Sequence, residues 1–270
     1  MRFFGGSAMW GTGSDDRGTI PAIFNRLHPE AQAFNYGERG LDSRQNVERL
    51  VNLLALRRPA ELVVFYDGVN DIAALCRNDT RLNGHGQENQ IGNKLDVGGG
   101  VRGLLWERTF DLVARTRRAV SGAPESGVYD CAKDPARARA VADVVVRDWQ
   151  IARTLALASC ARFITVLQPV AYIGRPRLGQ IVDNPAAPKD LESFKDLGQQ
   201  FRAVYPLWQR LAGQPGMRWL YDFTGAFDGN TLTYIDYVHV SQAGNEIIAR
   251  RLDALVPPRL RVARGCNRTL

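Results

Sequence analysis

The stretch Leu62-Val63-Val64-Phe65-Tyr66-Asp67-Gly68-Val69-Asn70-Asp71 opens as an unbroken apolar run with two β-branched valines and closes in a string of turn formers. A short continuous run bounded by such a turn reads as a strand buried on both faces, the kind found in parallel sheets. Working outward, comparable short runs recur at Arg2 to Phe4, Ala33 to Tyr36, Phe163 to Gln168 and Trp219 to Asp222. Longer amphipathic segments lie between them. Strands alternating with helices point to βαβ units and a mainly parallel sheet covered by helices.

The helical segments carry their own signals. Val47, Leu50, Val51 and Leu54 recur at helical spacing, with Ser43 placed to cap them. A long helix is expected from Asp134, with Pro135 in its first turn and a buried stripe of Val141, Val145, Trp149, Ala152 and Leu155. The last helix follows Ser241 and buries Ile248, Leu252 and Leu255. At 270 residues and 45% hydrophobic content the chain can bury a full core, and one domain over 1–270 is expected. Two stretches break the rhythm. Residues 77–104 read as an irregular insertion rich in Asn and Gly, and residues 169–188 as a proline-rich long loop. Both leave the carboxyl ends of strands, where open parallel sheets bind ligands.

The formal charge of +7 rests mostly on scattered arginines. The densest groups, Arg115, Arg117 and Arg118 and the tail Arg259, Arg261, Arg264 and Arg268, are not interleaved with aromatics, which argues against a nucleic-acid surface and leaves acidic substrates open. No apolar run is long enough to span a bilayer. Cys76, Cys131, Cys160 and Cys266 have no C-x-x-C spacing, against a zinc knuckle or redox motif. Cys76 and Cys131 flank the same irregular region and are able to pair in an oxidising compartment; four reduced thiols is the other reading. With only Met1 to Phe4 available for the first strand, a native N-terminal segment is expected to be missing or wrongly started. The chain as it stands reads as cytoplasmic, and with such a segment as extracytoplasmic or membrane-anchored. Oligomeric state is left open.

Among three histidines, His28 reads as a solvent-facing cap and His85 lies in the glycine-rich insertion. Only His239 has a carboxylate at fixed short spacing, in Asp236-Tyr237-Val238-His239. Near the other end of the chain Ser7 stands in Phe4-Gly5-Gly6-Ser7, right after the first strand. A serine hydroxyl becomes a strong nucleophile when a base takes its proton and a carboxylate fixes the base's tautomer. Asn70, at the end of the Leu62 strand, is placed to aim an amide N–H at a developing oxyanion. Gly40, in Gly37-Glu38-Arg39-Gly40 after the second strand, is able to bring a backbone N–H close to a ligand. Trp10 and Gln168 are secondary candidates for substrate binding; for Trp10 the alternative is a core tryptophan.

Ser7, Gly40, Asn70 and His239, in this order and each at the end of a strand or before the last helix, resemble the four signature elements of the SGNH, or GDSL-like, hydrolase family. The set spans nearly the whole chain. The resemblance implies a flavodoxin-like three-layer α/β/α sandwich with a five-stranded sheet. It implies Ser7, Asp236 and His239 as catalytic triad, an oxyanion hole of the Ser7 and Gly40 backbone N–H groups and the Asn70 side chain, and no metal or cofactor. One departure stands out: Gly6 occupies the place of the family aspartate beside the nucleophile, which is expected to alter local hydrogen bonding and leave the chemistry intact. The expected activity is a serine esterase acting on small acyl esters, O-acetyl groups on carbohydrate among them. An O-acyltransferase acting on a cell-surface polysaccharide and a catalytically silent glycan-binding protein are the alternatives.

Overall fold

The computed structural model describes residues 1–58, 60–84, 127–179, 195–229 and 232–256. Five strands, β1 (Arg2–Gly5), β2 (Phe34–Asn35), β3 (Leu62–Asp67), β4 (Arg162–Leu167) and β5 (Leu220–Asp222), form one sheet. Every pairing is parallel and the strand order is β2-β1-β3-β4-β5. That is the flavodoxin-like order. The helices are α1 (Ser7–Trp10), α2 (Ile20–Leu27), α3 (Ser43–Ala55), α4 (Val69–Leu75), α5 (Pro135–Ala158), α6 (Lys195–Gln209) and α7 (Gln242–Asp253).

The sheet has a core on each face because strand side chains alternate with period two. Phe4, Val63, Phe65, Phe163 and Leu167 pack on one side with α3, α4, α5 and α6. Phe3, Leu62, Val64, Tyr66 and Val166 pack on the other with α1, α2 and α7. The result is a three-layer sandwich, and the apolar run at β3 is buried along its whole length because it lies between the two layers.

Several expected details shift. The cap of α3 is Asp42, whose Oδ1 accepts from the Gln45 N–H at 2.9 Å while the Gln45 side chain accepts from the Asp42 N–H at 3.2 Å. Ser43 is instead the buried first residue of the helix. The buried stripe of α3 runs through Ser43, Asn46, Val47, Leu50 and Leu53, and Val51 is 44% exposed. A hydrophobic count misplaces the stripe because two of its members, Ser43 and Asn46, are polar and hydrogen-bond to Asp67. Asp134 does cap α5, accepting from the N–H groups of Ala136 and Arg137, but Leu155 is only half-buried and Ala156 takes the inner position. Leu255 lies beyond the end of α7 and is likewise half-buried. His28 is 6% exposed; its Nε2 lies 2.7 Å from Asp253 and its ring stacks on Phe24, so it ties α2 to the end of α7.

Cys76 and Cys131 form a disulfide, which closes the base of the irregular insertion. Cys160 is also disulfide-bonded. Most of the insertion at 77–104, with His85, lies outside the described residues, as does residue 180 onward of the loop at 169–188. The described part of that loop is anchored by the Ala171 N–H, which donates to the Tyr237 carbonyl at 2.9 Å. Among the described residues no helix is long and apolar enough to cross a membrane.

Candidate active site

Ser7 leaves β1 as the first residue of α1, with Gly6 as the helix cap. Its Oγ lies 2.7 Å from His239 Nε2, and His239 Nδ1 lies 2.5 Å from Asp236 Oδ2. The three groups, drawn from opposite ends of the chain, meet at the carboxyl edge of the sheet because β1 lies near its middle and the loop before α7 returns to that edge. Asp236 Oδ1 accepts from the backbone N–H groups of Val238 and His239 at 2.8 and 2.6 Å. The loop itself is held by the Ile235 N–H on the His239 carbonyl and the Ser241 N–H on the Thr233 carbonyl.

These contacts fix charge and tautomer. Burial pushes the Asp236 carboxyl up, but the hydrogen bonds from the His239 ring and the two backbone N–H groups outweigh it and hold it below its ordinary value. The carboxylate is therefore ionised and accepts the Nδ1 proton. Nε2 is left to accept from the Ser7 hydroxyl.

Asn70 is the second residue of α4, at the end of β3. Its Nδ2 donates to the Leu41 carbonyl at 2.7 Å, which uses one amide hydrogen and leaves the other. Gly6 is where the Asn70 amide passes: a Cβ at residue 6 would collide with Asn70 Nδ2 and lie 3.3 Å from the Leu41 carbonyl oxygen. The space at residue 6 is therefore taken up by the Asn70 amide. Gly40 sits in the turn closed by the Leu41 N–H on the Glu38 carbonyl, at φ +80°, a conformation that favours glycine. Its own N–H is free of any partner among the described residues. The turn is thus joined to Asn70 through the next residue, Leu41.

The secondary candidates separate. Trp10 is 50% exposed, one helical turn beyond Ser7, with the Arg39 guanidinium 5.3 Å from its ring centre; the core reading of this tryptophan does not hold. Gln168 is 4% exposed, its N–H given to the Asp67 carbonyl and its own carbonyl to the Tyr205 hydroxyl. It braces the strand end and presents almost no surface to a substrate.

Behind Asn70 lies a buried carboxylate group that the residue pattern did not reveal. Asp67 accepts from Ser43 Oγ, Asn46 Nδ2 and Trp149 Nε1, and Asp71 from the N–H groups of Ser43 and Gly68. Burial first, and then the charge of Asp71, push Asp67 well above the ordinary carboxylate range. The same two causes push Asp42 up to about 7. Burial raises Asp148 to about 6 against the pull of Arg44, which it meets at 2.8 Å. These groups pin the start of α3 and the β3–α4 turn together, and so hold Leu41 against Asn70. The one available signal was that Asp67 ends a buried strand and Ser43 and Asn46 fall on the inner side of α3.

No protein-family model matches the chain, and no curated protein does. Solved structures similar to it include a member of the lipolytic G-D-S-L family from Veillonella parvula, at 12% identity over 96% of this chain and 98% of that one, with a TM-score of 0.45. An acetyl xylan esterase is similar at 12% identity over 95% of this chain and 100% of that one, with a TM-score of 0.44. A mutant acetyl-xylooligosaccharide esterase from Geobacillus is similar at 16% identity over 97% of this chain and 96% of that one, with a TM-score of 0.41.

Proposed function

We propose that the chain is a serine esterase of the SGNH type, and the observation that carries this reading is the continuous hydrogen-bonded path from Ser7 Oγ through His239 to Asp236. In this reading the Ser7 oxygen attacks an acyl carbonyl while His239 Nε2 takes its proton, and Asp236 stabilises the imidazolium that forms. The oxyanion is received by the Ser7 and Gly40 N–H groups and the second Asn70 amide hydrogen. The imidazolium then gives its proton to the leaving alcohol, which departs as the acyl-enzyme forms. Water, deprotonated by the same imidazole, releases the acid and restores Ser7.

The substrate class we propose is a small acyl ester on a polar alcohol, O-acetyl groups on carbohydrate included. The exposed Trp10 supports it, since an aromatic face beside the nucleophile suits a sugar ring. The Cys76–Cys131 disulfide supports an oxidising, extracytoplasmic location.

A fluorophosphonate probe tests the reading directly. It should label the wild-type protein, fail to label Ser7→Ala and label His239→Ala weakly. A folded wild-type protein that takes no label would leave only a binding role. With an acetylated sugar as substrate, release of free acetate separates hydrolysis from transfer, whose product would be an acetylated acceptor.

A further inference from the structure

At the amino ends of β3, β4 and β5, the edge of the sheet opposite Ser7, lies a cavity of about 300 Å³. Arg153 from α5, Arg162 at the start of β4 and Arg218 just before β5 line it, together with Phe163, Trp219 and Val256. No aspartate or glutamate is among its lining residues, and none of the three arginines has a carboxylate partner among the described residues. Three arginines, Arg162 and Arg218 among them exposed, gather positive charge at one concavity, in a protein whose net charge is already +7. Arginines left so usually find a carboxylate; here the complement is missing from the described part of the chain.

The walls between the charges are apolar. Phe163 and Trp219 are buried at the base, 5.8 Å apart between ring centres. The Arg153 guanidinium lies over the Trp219 ring at 5.9 Å, and Trp219 Nε1 donates to the Gly216 carbonyl at 2.8 Å. The indole is therefore fixed, and the Arg153 guanidinium rests over its ring. A guanidinium presents two parallel N–H groups that match carboxylate, sulfate or phosphate oxygens.

From this arrangement we propose a second ligand site, distinct from the Ser7 centre, that binds a small anion carrying an apolar ring: the oxyanion is held by Arg153, Arg162 and Arg218 and the ring lies against the aromatic base. The volume is at the small end of ligand cavities, which suits one or two fused rings with a charged group and excludes a long acyl chain. The three arginines lie far apart in the sequence, so no charge run announces the site.

Isothermal titration with naphthalene-2-sulfonate tests it, with naphthalene-2-methanol and inorganic phosphate as the ring-only and charge-only probes. Saturable binding of one sulfonate per chain is expected, at least 10-fold tighter than either comparison probe and weakened by added salt. Arg153→Gln and Arg218→Gln should each weaken it about 10-fold or more, while Arg139→Gln, on the exposed side of α5, should leave it unchanged; circular dichroism checks that each variant is folded. Binding of the neutral alcohol or of phosphate as tight as the sulfonate, no saturable binding at all, or binding indifferent to both arginine variants would each overturn the proposal.

Discussion

Gly6 and Asn70 share one space: the Asn70 amide occupies the volume that a side chain at residue 6 would need. The amide is held there by the Leu41 carbonyl at 2.7 Å, so it has no slack to retreat without losing that bond. Position 6 and the Asn70 amide are therefore coupled, although one belongs to the β1–α1 turn and the other to α4.

Adding a side chain here, Gly6→Asp, should push the Asn70 amide off the Leu41 carbonyl and remove it as a donor. Loss of one oxyanion donor lowers turnover about 10²- to 10³-fold. The expected result is a drop in kcat of that order with little change in KM, matched by Asn70→Ala and not deepened in the double variant. Steady-state kinetics on an acetyl ester checks this. Wild-type turnover in Gly6→Asp would mean that Asn70 takes no part in binding the oxyanion.

The Asp236–His239 contact predicts a tautomer effect. Asp236→Asn keeps an oxygen for the two backbone N–H groups but offers an amide donor toward Nδ1, which favours the proton on Nε2 and leaves Ser7 without a base. Turnover should fall by about 10⁴-fold with the fold intact. The sign of the wild-type pH dependence follows from the depressed Asp236 value. Its ionised form contributes stability at pH above the ordinary carboxylate value, and that contribution is lost as pH falls through its lowered native value. Wild type should therefore lose unfolding temperature from this group only below the ordinary carboxylate range, and thermal unfolding across acid pH, compared with Asp236→Asn, checks it.

The Cys76–Cys131 bond joins residues 55 apart in sequence. Closing a loop of that length removes chain entropy from the unfolded state worth about 4 kcal/mol in the loop-closure model. Replacing both cysteines by serine should lower Tm by about 10 °C, since each kcal/mol moves a domain of this size by about 2–4 °C. Reductant, which also opens the Cys160 disulfide, should bring the wild type down to the variant or below it. If neither treatment moves Tm, the bond does not constrain the chain in solution.

How much of this was legible in the sequence depends on the physical signal each feature leaves. The β3 run and the helical spacings carry burial directly, so the sheet and most helices could be read. That Ser7, Asp236 and His239 come together could be read, because a serine after the first strand and an Asp-x-x-His before the last helix fall on one edge of a parallel sheet. The true inner side of α3 was not legible, because Ser43 and Asn46 are polar and only their hydrogen bonds to Asp67 make burial favourable. Nor were the exposure of Trp10 and the burial of Gln168, since both depend on how loops pass over the sheet edge. The capping box of Asp42 and Gln45 was present as a pattern, but the neighbouring Ser43 is an equally good cap by residue type.

Asp42 offers the sharpest test of the buried carboxylates. Its Oδ1 caps α3, whereas Oδ2 is buried with no hydrogen-bond partner among the described residues. Burial and the Asp71 charge raise its native value to about 7, so the sign is opposite to that of Asp236. Ionisation is easier in the unfolded chain, and stability should therefore fall as pH rises from about 4, the ordinary carboxylate value, to about 7, then level off. Asp42→Asn keeps the cap, since asparagine accepts equally well at this position, and removes the titration. The variant should match wild type below about pH 4 and unfold several degrees higher at pH 8, with a shallower slope between. Part of the slope should remain, because Asp148, raised to about 6, titrates in the same window. Thermal unfolding at the two pH values decides it: a variant less stable than wild type at pH 8 would mean that the Asp42 charge is compensated, and that the carboxylates behind Asn70 hold the loop without strain.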